Sequence, residues 1–236
     1  MRKPFKSVLC VAAHPDDLEF SVGGSVAVWV SEGVKVYYLI LTNGNKGSQD
    51  RTLKPVDIKN QRRKEQRKAG RILGVQKIFF CDFEDGALKV SQAVKFEITK
   101  MIRTVKPDLV VTMDPTMLYD VSSGYINHTD HRAAGQNTID AVFPLARDHL
   151  SFPGLLSAGL EPHKVKTLLL INFTQNNYYI DISHVFDLKI RALLAHASQM
   201  PGLEADVILV RKFAESTGKS SNFDLAEGFL KIDLPR

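Results

Sequence analysis

The sequence predicts an α/β fold, a mostly parallel sheet covered by helices on both faces in three layers. Three observations lead there. Short apolar, β-branched runs alternate with longer segments of helical periodicity through the first half of the chain. Gly and Pro punctuate the junctions between them. The 236 residues are 44% hydrophobic and 24% charged, enough apolar surface to bury a core without disulfide staples.

The first strand is read over 7–13, in SVLCVAA. Its apolar stretch is too short for the hydrophobic region of a signal peptide, although a basic segment precedes it. A helix follows in SVGGSVAVWVSEG, with Val26, Trp29 and Val30 on one face and Gly33 as its stop. VKVYYLIL, 34–41, is a continuous apolar run and hence a buried strand, and 42–57 is loop by composition. A helix from Ile58 to Leu73 closes on Gly74, and KIFFC, 77–81, is the third strand. The helix over 91–106 is broken by Pro107, and DLVVTM, 108–113, is the fourth strand. This βαβαβαβ rhythm is Rossmann-like, and such sheets place their chemistry at the carboxyl ends of the strands. Beyond residue 113 the pattern loosens. A helix is expected over 128–143, a loop over 144–164, strands at 165–173 and 177–182, and a helix over 185–200. With no linker, repeat or low-complexity tract, residues 1–236 read as one domain with a less regular carboxyl-terminal third.

The net charge of +5 is modest. Much of it sits in KNQRRKEQRKAGR, where Lys59, Arg62, Arg63, Lys64, Arg67, Lys68 and Arg71 face only Glu65. The charges run round the helix without interleaved aromatics, which reads as a solvated face and not as a nucleic-acid footprint. One of these arginines can still lean into a site and hold an anionic or hydroxylated substrate. No segment approaches the roughly 20 apolar residues that span a bilayer, so no membrane partner is expected. Cys10 and Cys81 are far apart in apolar surroundings and read as thiols of a reducing, cytoplasmic compartment. The sequence leaves a homo-oligomer open.

Two segments carry metal-ligand chemistry. HPDDLE, 14–19, places His14, Asp16, Asp17 and Glu19 at the exit of the first strand. Adjacent carboxylates there repel each other and lose hydration. A divalent cation resolves both costs, with Asp17 bound to it and Asp16 free to act on a metal-bound water. The competing reading is a simple helix cap, which needs one acidic side chain and no histidine. The second segment, NHTDHR, 127–132, offers His128, Asp130 and His131 on the same edge of the sheet. His14, Asp17 and one of the two later histidines make up the three protein ligands of a catalytic zinc site. Gly23 and Gly24 lack dinucleotide-fingerprint spacing and are read as permitting close helix packing. His196, among apolar neighbours, is read as a core histidine.

These residues resemble the LmbE-like (PIG-L-type) de-N-acetylases. AAHPDDLE is similar to the family's A-H-P-D-D-x-E, and HTDHR to its H-x-D-H. Weaker likenesses lie in LTNG (41–44), RRKEQRKAGRILGV (62–75), DG (85–86) and KIRALLAHASQ (189–199). The resemblance implies one zinc ion held by His14, Asp17 and His131, with Asp16 as general base. It implies His128 stabilising the oxyanion or protonating the leaving amine, and Asp130 orienting a histidine. Arg62, with Arg63 as its rival, matches the substrate-contacting arginine, and Thr129 stands where many members have proline. The implied activity is metal-dependent removal of acetyl from an N-acetylglucosaminyl small molecule: a disaccharide, a glycoside or a thiol-cofactor precursor. An amidase on another acyl group, such as a thiol-conjugate amide, and a non-catalytic metal- or sugar-binding protein are the alternatives.

Overall fold

The computed structural model describes residues 5–121, 124–200, 202 and 204–235. Strand β1 (Ser7–Ala12) shows why the first run is apolar throughout. Val8, Cys10 and Ala12 pack into one core, while Leu9, Val11 and Ala13 pack into another on the opposite face. A strand buried on both faces has no polar side to alternate with. Helix α1 (Asp17–Ser31), β2 (Lys35–Thr42), α2 (Pro55–Leu73), β3 (Lys77–Phe83), α3 (Gln92–Val105) and β4 (Leu109–Met113) follow in the expected alternation.

A two-stranded hairpin, β5 (Tyr119–Asp120) with β6 (Tyr125–Ile126), leads into α4 (Thr129–Asp140). After that helix the chain kinks within Ala141–Leu145, where Phe143 takes an extended backbone ahead of Pro144. After it come α5 (Pro153–Ser157), β7 (Thr167–Ile171), β8 (Tyr178–Asp181), α6 (Phe186–Leu193), α7 (Glu204–Lys219) and β9 (Ala226–Asp233).

The main sheet has the order β3-β2-β1-β4-β7-β9-β8. The first five run parallel, and β9 is antiparallel to both β7 and β8. Helices α1, α2 and α6 share one core through Val22, Val26, Leu73 and Leu193. Helices α3 and α4 share the other through Val94, Ile98, Ile102 and Ala134. The chain order reverses between β1 and β4, which opens a crevice at their carboxyl ends. No helix among the described residues is long and apolar enough to cross a membrane.

Several boundaries differ from expectation. Helix α1 begins at Asp17, directly after the histidine segment, so Asp17 and Glu19 lie in its first turn and Asp16 immediately precedes it. Helix α2 starts at Pro55, inside the expected loop, with proline at a position where a missing N–H costs nothing. Helix α6 ends at Leu193, and 194–199 continue as turns that reach back to other elements. Helix α7 and strand β9 stand where the sequence shows no clear element. Helix α7 buries only Val210, Ala214 and Gly218 and leaves Ile208, Leu209 and Phe213 exposed. Strand β9 carries an inward-facing Glu227 that masks its apolar run. Gly24 behaves as read, since a Cβ there would lie 2.7 Å from Ile182.

A candidate metal centre and its catalytic surroundings

The candidate histidines and carboxylates sit at or near the ends of elements, on the carboxyl edge of the sheet, and Arg62 reaches them from within α2. His14 follows β1 and is buried. Asp85 follows β3 and is also buried. His128 caps α4, and its exposed ring lies across from that of His14, with centroids 4.8 Å apart in an edge-on arrangement. His131, one turn into α4, is 5.3 Å from both rings. Asn127 fixes the start of α4 by donating through Nδ2 to the Met117 carbonyl at 2.7 Å, while Arg132 donates back to the Asn127 carbonyl.

The hydrogen bonds assign a role to each imidazole nitrogen. His14 Nε2 lies 3.1 Å from Asp85 Oδ1 and 3.2 Å from Asp130 Oδ2. Asp130 is itself held by the N–H groups of Gly86 (2.7 Å) and Leu88 (3.1 Å). With Nε2–H donated to these carboxylates, His14 presents Nδ1 toward Asp17 Oδ2, 3.6 Å away. Asp17 Oδ2 also accepts the His14 backbone N–H at 2.8 Å, and Asp17 Oδ1 lies 3.1 Å from His131 Nε2. His128 differs. Its Nδ1 accepts the Asp130 backbone N–H at 3.1 Å, so a neutral ring carries its proton on Nε2. Burial and the neighbouring charges of His14 and His131 push its pKa down, which keeps that ring neutral.

The electrostatics show what the centre demands. Burial disfavours a charged His14, yet the carboxylates of Asp130, Asp17 and Asp85 carry its pKa up to about 12. Burial likewise opposes ionisation of Asp17, and His131 and His14 nevertheless hold it well below the usual carboxylate range. Three acids around one imidazole call for a positive charge, and a divalent cation suits that environment. The nitrogens of His14, His128 and His131 lie within 4.8 Å of one another, as do the ligand atoms of His14, Asp85 and Asp130. Residues and demand fit a metal ion.

Asp16 does not cap α1. Its side chain makes no capping hydrogen bond, and its backbone adopts φ 95°, a left-handed value that non-glycine residues rarely take. Arg62 holds it there. One guanidinium nitrogen donates to the Pro15 carbonyl at 2.8 Å and to Asp16 Oδ2 at 3.3 Å, and the other donates to the Gly44 carbonyl at 3.0 Å. Burial pushes the Asp16 carboxyl up to about 6, against the pull of Arg62. A carboxylate with a pKa near neutrality suits proton transfer. Arg63 turns away, donating to the Cys81 carbonyl and Asp82 Oδ1.

The structure therefore brings together His14, Asp16, Asp17, His128, Asp130, His131 and Arg62. It adds Asp85, which the sequence marked only as part of the DG likeness at 85–86, with no role in the site. His196, read as a core residue, is fully buried but bonded through Nε2 to Glu19 Oε2 at 3.1 Å.

Comparison with known proteins places the chain in a family. The family model of GlcNAc-PI de-N-acetylases (PIG-L) matches residues 9–142. The diacetylchitobiose deacetylase of Thermococcus kodakarensis is 35% identical over 97% of this chain and 85% of its own length. A probable N-acetyl-α-D-glucosaminyl L-malate deacetylase of Bacillus cereus is 27% identical over 85% of this chain and 87% of its own. Among solved structures, the N,N'-diacetylchitobiose deacetylase of Pyrococcus horikoshii, complexed with an inhibitor, superposes with a TM-score of 0.91. It shares 31% identity and covers 98% of this chain and 85% of its own. The chain belongs to the PIG-L family of de-N-acetylases.

Proposed function

We propose that this protein is a zinc-dependent hydrolase that removes the acetyl group from an N-acetylglucosaminyl small molecule. The observation that carries the reading is the juxtaposition of three groups. His14, Asp17 and His131 converge, the uncapped Asp16 carboxyl stands beside them, and His128 presents an Nε2–H from the exposed side. His14, Asp17 and His131 would hold the zinc, since the neutral His128 spends its lone pair on the Asp130 N–H. Zinc, when bound, supplies Lewis-acid activation of water and of the amide carbonyl.

The chain's own groups do the rest. Asp16, oriented by Arg62, takes the proton of the attacking water. The His128 Nε2–H donates to the oxygen on which negative charge develops. Asp16 then returns its proton to the departing nitrogen, releasing a free amine and acetate. Asp130 and Asp85 hold the His14 ring so that Nδ1 points toward Asp17, where it would be free to bind the metal. Tyr125, packed edge-to-face on Phe173 at 5.6 Å, offers an aromatic wall beside this centre, and Asp17 adds to the burial that pushes its hydroxyl pKa up. The free thiols of Cys10, buried, and Cys81, partly buried, suit a cytoplasmic setting.

The test is product detection across N-acetylated mono- and disaccharides and glycosides, with bulky acyl amides and thiol-conjugate amides as rivals. Free amine and acetate from the acetylated sugars, abolished by chelation and restored by zinc, is the expected result. Asp16→Asn should retain zinc and lose turnover by about 10²- to 10⁴-fold, whereas His131→Ala should lose both. An active, metal-free His131→Ala protein overturns the assignment. Preference for the larger acyl groups would make the protein an amidase, and zinc binding without turnover on any amide would make it a binding protein.

A further inference from the structure

We propose that Gln66, Glu19 and His196 form a buried relay of positioning residues that holds Asp16 in its left-handed conformation. The inference rests on Asp16 being the general base of the reaction above. Asp16 at φ 95° is held by more than Arg62, because its backbone N–H donates to Gln66 Oε1 at 3.1 Å. That contact fixes the orientation of the Gln66 amide, so Nε2 must donate outward, and it does so to Glu19 Oε1 at 2.9 Å. The second oxygen, Glu19 Oε2, lies 3.1 Å from His196 Nε2, which must then carry the proton.

Gln66, Glu19 and His196 are each fully buried, and they come from α2, α1 and the turn after α6. His196 Nδ1 is buried and meets no hydrogen-bond partner among the described residues, so the ring is oriented through Nε2 alone. The turn carrying it is tied down on both sides. Ser198 donates to Glu65 from its backbone N–H at 3.0 Å and from Oγ at 2.6 Å, and Gln199 Nε2 donates to the Gly47 carbonyl at 2.8 Å. Every link has one sense only, from the imidazole N–H, through a carboxylate that accepts twice, to an amide that accepts the Asp16 N–H. Losing the last link frees Asp16 to relax to the extended backbone usual before a helix, which would swing its carboxyl away from the centre.

Gln66→Met keeps the side-chain volume and removes both hydrogen bonds. Its kcat, counted per bound zinc, should fall about 10- to 100-fold, with zinc content and KM unchanged. The Asp16 amide should exchange with solvent at least about tenfold faster by NMR. His196→Leu should reproduce both effects, and His196→Gln, which restores an N–H donor, should recover part of the lost kcat. Unchanged Asp16 exchange in a folded Gln66→Met protein overturns the relay. So does a loss of activity matched entirely by loss of zinc, which would mean a structural role only. A wild-type protein inert on every acetamide would sink the proposed reaction instead, and the exchange measurement would still decide the relay.

Discussion

At the residue scale, the chemistry of the centre depends on which nitrogen of each histidine is already engaged. His14 gives Nε2 to Asp85 and Asp130, and His128 gives Nδ1 to the amide at the start of α4. In the proposed reaction the same residue type is thereby divided between a ligand and a proton-bearing donor. His128→Asn tests this, because asparagine still caps a helix but cannot place an N–H where Nε2 stands. We expect zinc and the fold to be retained and kcat to drop about 10²- to 10³-fold, the usual effect of losing one oxyanion donor. Steady-state kinetics with metal analysis checks it, and a kcat near wild type would remove His128 from the reaction. The HPDD and HTDH segments were legible as a candidate metal centre because a helix cap needs one acidic side chain and no histidine. Asp85 stood out only within the weak DG likeness, and its place beside His14 was not legible. A lone acidic residue before a glycine is indistinguishable from turn composition until β3 is seen to end beside His14.

At the element scale, the position of α4 decides whether His128 and His131 reach the first strand's histidine. Gly135 lets α4 press onto the end of β4. A Cβ at this position would overlap the Met113 carbonyl oxygen and crowd Pro115, neither of which can yield easily. Gly135→Ala should therefore lift the helix, cost about 1–3 kcal/mol of stability and weaken zinc binding together with it. Urea denaturation and zinc titration measure the two, and a neutral substitution would show that the contact does not set the helix position. The strands and helices of the first half were legible because each buries a continuous or periodic apolar face. Helix α7 was not, since its exposed Ile208, Leu209 and Phe213 blur the contrast that a helical stripe needs.

At the scale of the whole molecule, the last strand locks the first helix. Glu227 on β9 accepts the N–H groups of Gly24 (2.9 Å) and Ser25 (2.7 Å) on α1, and Ser25 Oγ at 2.5 Å. It also pairs with Lys189 of α6 at 2.5 Å, and Lys189 Nζ donates in turn to the Phe20 carbonyl at 2.7 Å. Both members of the pair are buried, at 5% and 3% exposure, so removing one strands the other away from water. Glu227→Ala should cost about 3–5 kcal/mol, read as a lowered denaturation midpoint with unchanged slope. A loss under about 1 kcal/mol would mean that the pair behaves like a surface ion pair. Because α1 carries Asp16 and Asp17 at its start, this distant contact also bears on the site.

What the sequence by itself determined was the alternating parallel half of the sheet and the two segments whose imidazoles and carboxylates meet at its carboxyl edge. Apolar periodicity and ligand chemistry are local properties, written in runs of a few residues. Only the tertiary structure decided how those groups divide their work. It set Arg62 and not Arg63 against Asp16, turned Asp16 out of a capping role, added Asp85 behind His14 and tied Gln66, Glu19 and His196 into one buried chain. Each of those depends on contacts between residues tens to more than a hundred positions apart. Such contacts leave no periodic trace in the chain, because hydrogen-bond direction and burial arise only once the elements are packed.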